Sequence, residues 1–175
     1  MKKTFKVSFA GIITAFAFIL MLLTSVVSVG TYALPCFSGM LMVAVVIEFG
    51  AKWAYLSYTA VSILSLLFAG DKEAALYFVA FFGFYPILKS TIEKLKSKGI
   101  QYLLKYGIFN VTMVIAFYIG KFIFMIPDEE FTLFGVYIPW IFLIIGNIFF
   151  IFYDRCVSIS VYYYIYNIRK RFIKK

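Results

Sequence analysis

Between Lys6 and Glu48 the chain carries no charged side chain. As one helix those forty-one residues would reach ~62 Å, about twice the ~30 Å of hydrocarbon in a bilayer. The stretch must therefore fold back on itself. Gly30 and Pro35 mark the place, because glycine accepts turn dihedrals and proline suits the start of a helix. This predicts a first span over about 7–29 and a short second one over 35–50. The rest of the chain gives no reason to look outside a membrane: 64% of residues are hydrophobic, 14% are charged and the mean hydropathy is +0.97. Soluble domains run near half apolar and a quarter charged, so a water-facing coat is missing.

The same reasoning divides the remainder. "EFGAKW" at 48–53 is a tight turn, and a third span covers about 53–69. "AGDKEA" opens a fourth, 74–89, which ends where Lys89, Glu93, Lys94, Lys96 and Lys98 restore charge. A fifth covers 100–126, "PDEEFTLFGVYIP" is the longest loop, and a sixth covers 138–161 ahead of the basic tail "RKRFIKK". The expected fold is all-α: a polytopic bundle of six transmembrane helices forming a single membrane domain over 1–175. The apolar run from Val7 to Val29 exceeds a typical signal-peptide core of about 7–15 residues, and its small residues are scattered, so it reads as a span and not as a cleaved leader.

Basic residues fix the expected orientation. With both termini inside, Lys2, Lys3, Lys6, Lys52, the five lysines from 89 to 105 and the five basic tail residues face the cytoplasm, against Lys72 and Lys121 outside. Fourteen against two is a strong positive-inside bias. Arg155 is not assigned to either side. The acids Asp128, Glu129 and Glu130 fall outside. The net charge of +9 follows these ends and bends, which points to anionic lipid headgroups and away from nucleic acid. Just ahead of the 89–98 lysines, Pro86 is expected to kink the helix, its freed carbonyl taking water or a side chain. Ile87, Ile92 and Leu95 opposite the lysines predict a short segment along the headgroups with a solvated basic edge, or a docking surface for a cytoplasmic partner.

Enzyme chemistry is not expected. There is no histidine, no phosphate loop, no zinc helix and no serine elbow, so neither a metal nor a cofactor is anticipated. Cys36 and Cys156 lack metal or redox spacing and are expected at different depths, without a disulfide. Small residues do stand out in the first span. Gly11 with Ala15, and Ala10 with Thr14, leave a smooth face where another backbone can come close, either within the bundle or from a partner.

Six short helices, a basic start and this small-xxx-small face resemble the substrate-binding S component of energy-coupling factor (ECF) transporters. The resemblance implies an uptake subunit that binds a vitamin or related micronutrient on its outer side. It also implies docking through the first helix onto a transmembrane coupling subunit, which in turn carries ATPase subunits. On this chain Ala10, Gly11, Thr14 and Ala15 match the docking face, and candidate ligand contacts at the outer side are Asp71, Lys72, Glu73, Tyr77, Lys121, Trp140 and Asn147. The rod-shape protein MreD shares the architecture, so a non-transporting scaffold for envelope or cell-shape machinery is the alternative.

Polar groups inside spans must find partners. Glu48 and Lys52, spaced i,i+4 with the acid first, predict a helical ion pair. Lys121 either snorkels outward or meets an anionic ligand. Asn110 and Asn147 predict interhelical hydrogen bonding, with Asn147 also at a depth suited to the floor of an outer pocket. Asp154 and Arg155 fall at the inner edge in one register and deep in the bilayer in another. The deep register would open a third reading, an ion pathway.

Overall fold

The structure is a computed structural model in which residues 3–27, 30–123, 125, 132–133 and 136–172 are described. Helices α1 (Lys3–Leu23), α2 (Gly30–Phe49) and α3 (Ala51–Phe68) come first. Next are α4 (Lys72–Tyr77), a π turn at Phe78–Phe82 and α5 (Tyr85–Ile92), which together make one passage. Then come α6 (Lys98–Phe122), a two-residue antiparallel ladder of β1 (Thr132–Leu133) with β2 (Val136–Tyr137), and α7 (Pro139–Tyr163). A second π turn (Tyr164–Ile168) and α8 (Arg169–Phe172) continue α7. Six helical passages are long and apolar enough to cross a membrane, as the charge-free runs require. The acidic stretch 128–130 lies outside the described residues.

Helices α1, α2 and α3 pack through small residues. Ala10 and Ala17 of α1, Ser38 and Gly39 of α2, and Ala54, Ser57, Ser62 and Ser65 of α3 are all buried. Where lipid tails are as apolar as leucine, close backbone approach and van der Waals contact drive association, and small side chains permit both. Ser38 Oγ donates to the Ala17 carbonyl at 3.0 Å, which ties α2 to α1. Around this seam Met21, Met42, Val45, Val61, Phe78 and Ile87 form one apolar cluster; Phe81, Tyr85, Phe109, Phe150 and Tyr153 form a second, aromatic one toward α6 and α7.

Two expected boundaries move. Helix α1 ends at Leu23, not near 29; a turn follows, and the Thr24 hydroxyl caps the Met21 carbonyl at 2.7 Å. Helix α2 begins at Gly30, not at Pro35, and runs through that proline, which is fully buried. Tertiary bonds hold the turn before it: Thr31 Oγ1 donates to Asp71 Oδ2 (2.7 Å) and Tyr32 Oη to Glu73 Oε1 (3.1 Å). Asp71 in turn caps α4 by accepting from the Ala74 amide at 2.9 Å. The third, fourth and fifth spans each start two residues early, and the sixth starts at Pro139 and runs on through α8, because helix ends follow backbone bonding beyond the apolar stretch.

Pro86 acts together with the π turn. Having no N–H, it cannot bond the Phe82 carbonyl four residues back. That oxygen accepts instead from Tyr153 Oη of α7 at 3.0 Å. The Gly83 amide bonds Phe78 at 2.8 Å, the long register of a π turn, and the Val79 carbonyl accepts from Tyr58 Oη of α3 at 2.7 Å. Two carbonyls released from the ladder thus become links to α7 and α3, as the interior of a membrane demands. The Phe82 carbonyl also lies directly against Gly39, where a Cβ would collide with it.

The chain ends gather at one end of the bundle. Phe5 and Phe9 of α1 meet the Phe49 ring at 6.3 and 5.6 Å, and Arg169 Nε stands 3.0 Å from Glu48 Oε1. The i,i+4 pair of Glu48 with Lys52 does not form. Gly50, at φ 84°, separates α2 from α3, so those two residues do not share a helix. Glu48, almost wholly shielded from solvent, has the C-terminal arginine alongside it as an ion pair; the Arg169 N–H is not aligned for a hydrogen bond. At the opposite end the Gly70 amide donates to Ser25 Oγ at 2.8 Å. Both cysteines are free thiols. Cys36 packs against the aromatic cluster that includes Tyr153 and Val157, where α2 meets α7.

Candidate functional site

An ionic cluster is built where α5, α6 and α7 converge toward the end that holds the termini. Helix α7 carries Asp154 fifteen residues after Pro139, ~22 Å along the axis, within the apolar span Leu143–Ile168. Helix α5 supplies Tyr85 and Lys89 one turn apart, and α6 supplies Lys105. Asp154 Oδ1 accepts from Tyr85 Oη at 2.5 Å, from Lys89 Nζ, and from Lys105 Nζ at 3.2 Å. Lys89 also donates to the Asp154 carbonyl and to Ser158 Oγ, each at 2.8 Å. Glu93 completes the set, 2.8 Å from Lys105 and 3.4 Å from Lys89.

Both lysines are withdrawn from solvent, at 2% and 5% exposure. Stripping water from a cation costs several kcal/mol unless a counter-charge and hydrogen bonds replace it. Two carboxylates against two ammonium groups meet that demand, so the cluster fastens three helices electrostatically. It also corrects the reading of the 89–98 stretch. Lys89 is not on a solvated edge; it points inward with Ile87 and Ile92, while Lys94, Lys96 and Lys98 remain exposed.

A cavity of about 370 Å³ opens beside the cluster between α6 and α7, lined by polar Asp154, Lys105, Glu93 and Ser158 and by Tyr106, Phe150 and Ile151. Lys98 and Arg155 stand at its rim, both exposed. Arg155, which the sequence left unassigned, therefore shares the end of the bundle that carries the lysines. A smaller cavity of about 110 Å³ lies behind it, between α2, α5 and α7.

The other sequence-derived residues fall into separate groups. Asp71, Glu73 and Tyr77 do come together with Thr31 and Tyr32 at the far end: Tyr77 Oη donates to Glu73 Oε1 at 2.8 Å, and the Tyr32 and Tyr77 rings lie 5.2 Å apart. Lys72 is turned aside and donates to the Leu66 carbonyl at 2.8 Å. Trp140 is 65% exposed at the start of α7, and Lys121 is half-buried in the last turn of α6.

Asn147 is engaged between helices. Its Nδ2 donates to Asn110 Oδ1 at 2.8 Å, and Asn110 Nδ2 donates back to Asn147 Oδ1 at 3.0 Å. Each amide also reaches the carbonyl one turn before it, Leu143 for Asn147 and Tyr106 for Asn110. Asn147 is thus a clasp between α6 and α7, with both of its N–H groups engaged. Replacing either asparagine by leucine is expected to lower stability in detergent by about 1 kcal/mol. The double replacement should cost clearly less than the two singles summed, because both remove one interaction; additive losses in thermal unfolding would contradict the clasp.

On α1 the two small-residue pairs separate. Ala10 is buried and Thr14 is half-buried, its hydroxyl bonded to the Ala10 carbonyl at 2.8 Å. Gly11 and Ala15 are exposed, and a Cβ built at Gly11 meets nothing within 4 Å.

Sequence reasoning singled out Asp154 but not its partners Tyr85, Lys89, Glu93 and Lys105. The rule that a charge inside a span needs an opposite charge would have led to Lys105, about two turns inside α6, whereas Lys89, in the last turn of α5, reads as the end of a span. Compared with protein-family models, with curated proteins and with solved structures, the chain matches none.

Proposed function

We propose that this protein is a small-molecule uptake subunit of the S-component kind, set in the plasma membrane with both termini in the cytoplasm. It has no ATPase activity of its own and docks a transmembrane coupling subunit through α1. The observation that carries this reading is the division of labour on α1. One face, Ala10, Ala17 and Met21, is consumed by the bundle. The Gly11–Ala15 line is left open, where a second helix can approach to backbone distance. The ligand would enter at the opposite end, where Asp71, Glu73, Tyr77 and Tyr32 assemble carboxylates and phenols.

The test is a Gly11→Leu, Ala15→Leu double variant. Since both positions are open, the variant is expected to fold and melt like the parent, to lose coupling subunits on gentle extraction, and to reduce uptake by roughly tenfold or more, the effect of two bulky side chains at a close-packed helix contact. Unchanged co-purification and uptake would contradict the proposal.

A second reading draws on a different observation. Lys94, Lys96 and Lys98 stay exposed although a counter-charge network stands next to them, and a scaffold of the MreD kind would use such a surface to recruit envelope proteins. Normal uptake with altered cell shape on deletion would select it.

A further inference from the structure

We propose that the cavity between α6 and α7 is a binding site for the anionic phosphate headgroup of a membrane lipid, taken from the leaflet on the side of the chain termini. The cavity holds a headgroup: about 370 Å³ sits at the small end of ligand sites, which run from about 300 Å³. Its charge is right for an anion. Lys89 and Lys105 are matched by Asp154 and Glu93, whereas Lys98 and Arg155 at the rim make no ion pair among the described residues. Two cations therefore remain over, and the positive end of the 25-residue helix α6 points to the same place.

The walls specify a lipid over a free anion. Phe150 and Ile151 line the cavity on its apolar side. Tyr102 and Ile151, both lining residues, are 55% and 47% exposed, and the neighbouring Leu103 and Phe152 are 75% and 66% exposed. A phosphate held by Lys98 and Arg155 would thus leave its acyl chains on a ready apolar surface in the plane of the hydrocarbon. Basic pockets between transmembrane helices at the headgroup level hold anionic lipids by this combination. The proposal is independent of docking through α1.

The experiment uses the purified full-length protein in nanodiscs of phosphatidylcholine doped with phosphatidylglycerol, with lipid retention read by native mass spectrometry. The parent should retain phosphatidylglycerol selectively. Lys98→Gln with Arg155→Gln should weaken retention by roughly thirtyfold, the loss expected for two interfacial cations. Lys94→Gln with Lys96→Gln removes the same charge from the adjoining turn between α5 and α6, outside the cavity, and should leave retention near the parent level. Equal loss in both double variants would overturn the site in favour of general surface attraction, as would no loss in either. Inorganic phosphate at millimolar concentration should not displace the lipid; displacement would overturn the lipid assignment in favour of a small-anion site. The rim variants should melt like the parent, and a melting temperature that falls with retention would count against a binding role.

Discussion

Replacing Asp154 by asparagine is expected to destabilise the protein by about 3–5 kcal/mol, the cost of leaving buried charge without its partner. Asparagine keeps the shape and can still accept from Tyr85. It takes away the negative charge that stands against Lys89 and Lys105, and these are buried too deeply for water to replace it. Only Glu93 would remain for two ammonium groups. Removing the ion pair as a whole should be far milder: Asp154→Leu combined with Lys89→Met is expected to recover much of the loss, since apolar groups of similar volume often replace buried pairs at little cost. Thermal unfolding in detergent reads both. Salt gives an independent check, because a surface pair weakens on going from low to high ionic strength while a sequestered one is screened much less. An Asp154→Asn variant that melts with the parent would show that the carboxylate does not hold α5, α6 and α7 together.

The second large effect is expected at Gly39. Helix α2 crosses the π turn so closely that any side chain here strikes the Phe82 carbonyl, with Tyr153 Oη 2.9 Å from the same point. A backbone oxygen already held by a hydrogen bond cannot yield as a flexible side chain would. Gly39→Ala should cost about 1–3 kcal/mol by overpacking, and Gly39→Leu should yield no folded protein. Tyr153→Phe strips the carbonyl of its donor without adding bulk and is expected to cost about 1–3 kcal/mol as an unsatisfied buried acceptor. Gly11→Ala is the control: its Cβ enters open space, and within α1 the change should be neutral or stabilising by up to about 1 kcal/mol. Equal tolerance at Gly39 and Gly11 would mean that α2 does not approach the π turn as described.

Much of the fold is legible in the sequence because bilayer physics acts on long, simple signals. The charge-free run from 7 to 47 demands a reversal, and Gly30 lies where the chain turns into α2. Proline was the less reliable guide. Pro35 sits inside α2 because the turn before it is held by Asp71 and Glu73, residues forty or so positions away whose contribution local pattern cannot reveal. Pro86 was correctly read as freeing a carbonyl, yet the hydroxyl that donates to that Phe82 oxygen, on Tyr153, is 71 residues distant along the chain. Glu48 and Lys52 satisfied a sound helical rule that one glycine at positive φ cancelled.

The candidate site was legible by half. Asp154 stood out as a charge in an apolar helix, but whether it lay shallow or deep depended on how α7 runs past α5 and α6. Lys89 was absorbed into a basic run whose other members are exposed. Its inward direction follows from the turn that Pro86 and the π register impose, which periodicity taken from either side of the break does not convey.

The central claim is that the bundle end holding both termini, the exposed lysines and the Asp154 cluster faces the cytoplasm. With Cys36 and Cys156 replaced by alanine, Lys96→Cys and Val26→Cys place single thiols in turns at the two ends of the bundle. A membrane-impermeant maleimide applied to intact cells should label the Val26→Cys protein at once and the Lys96→Cys protein only after permeabilisation. The reverse pattern, with position 96 labelled in intact cells and position 26 protected, would contradict the orientation and every assignment that depends on it.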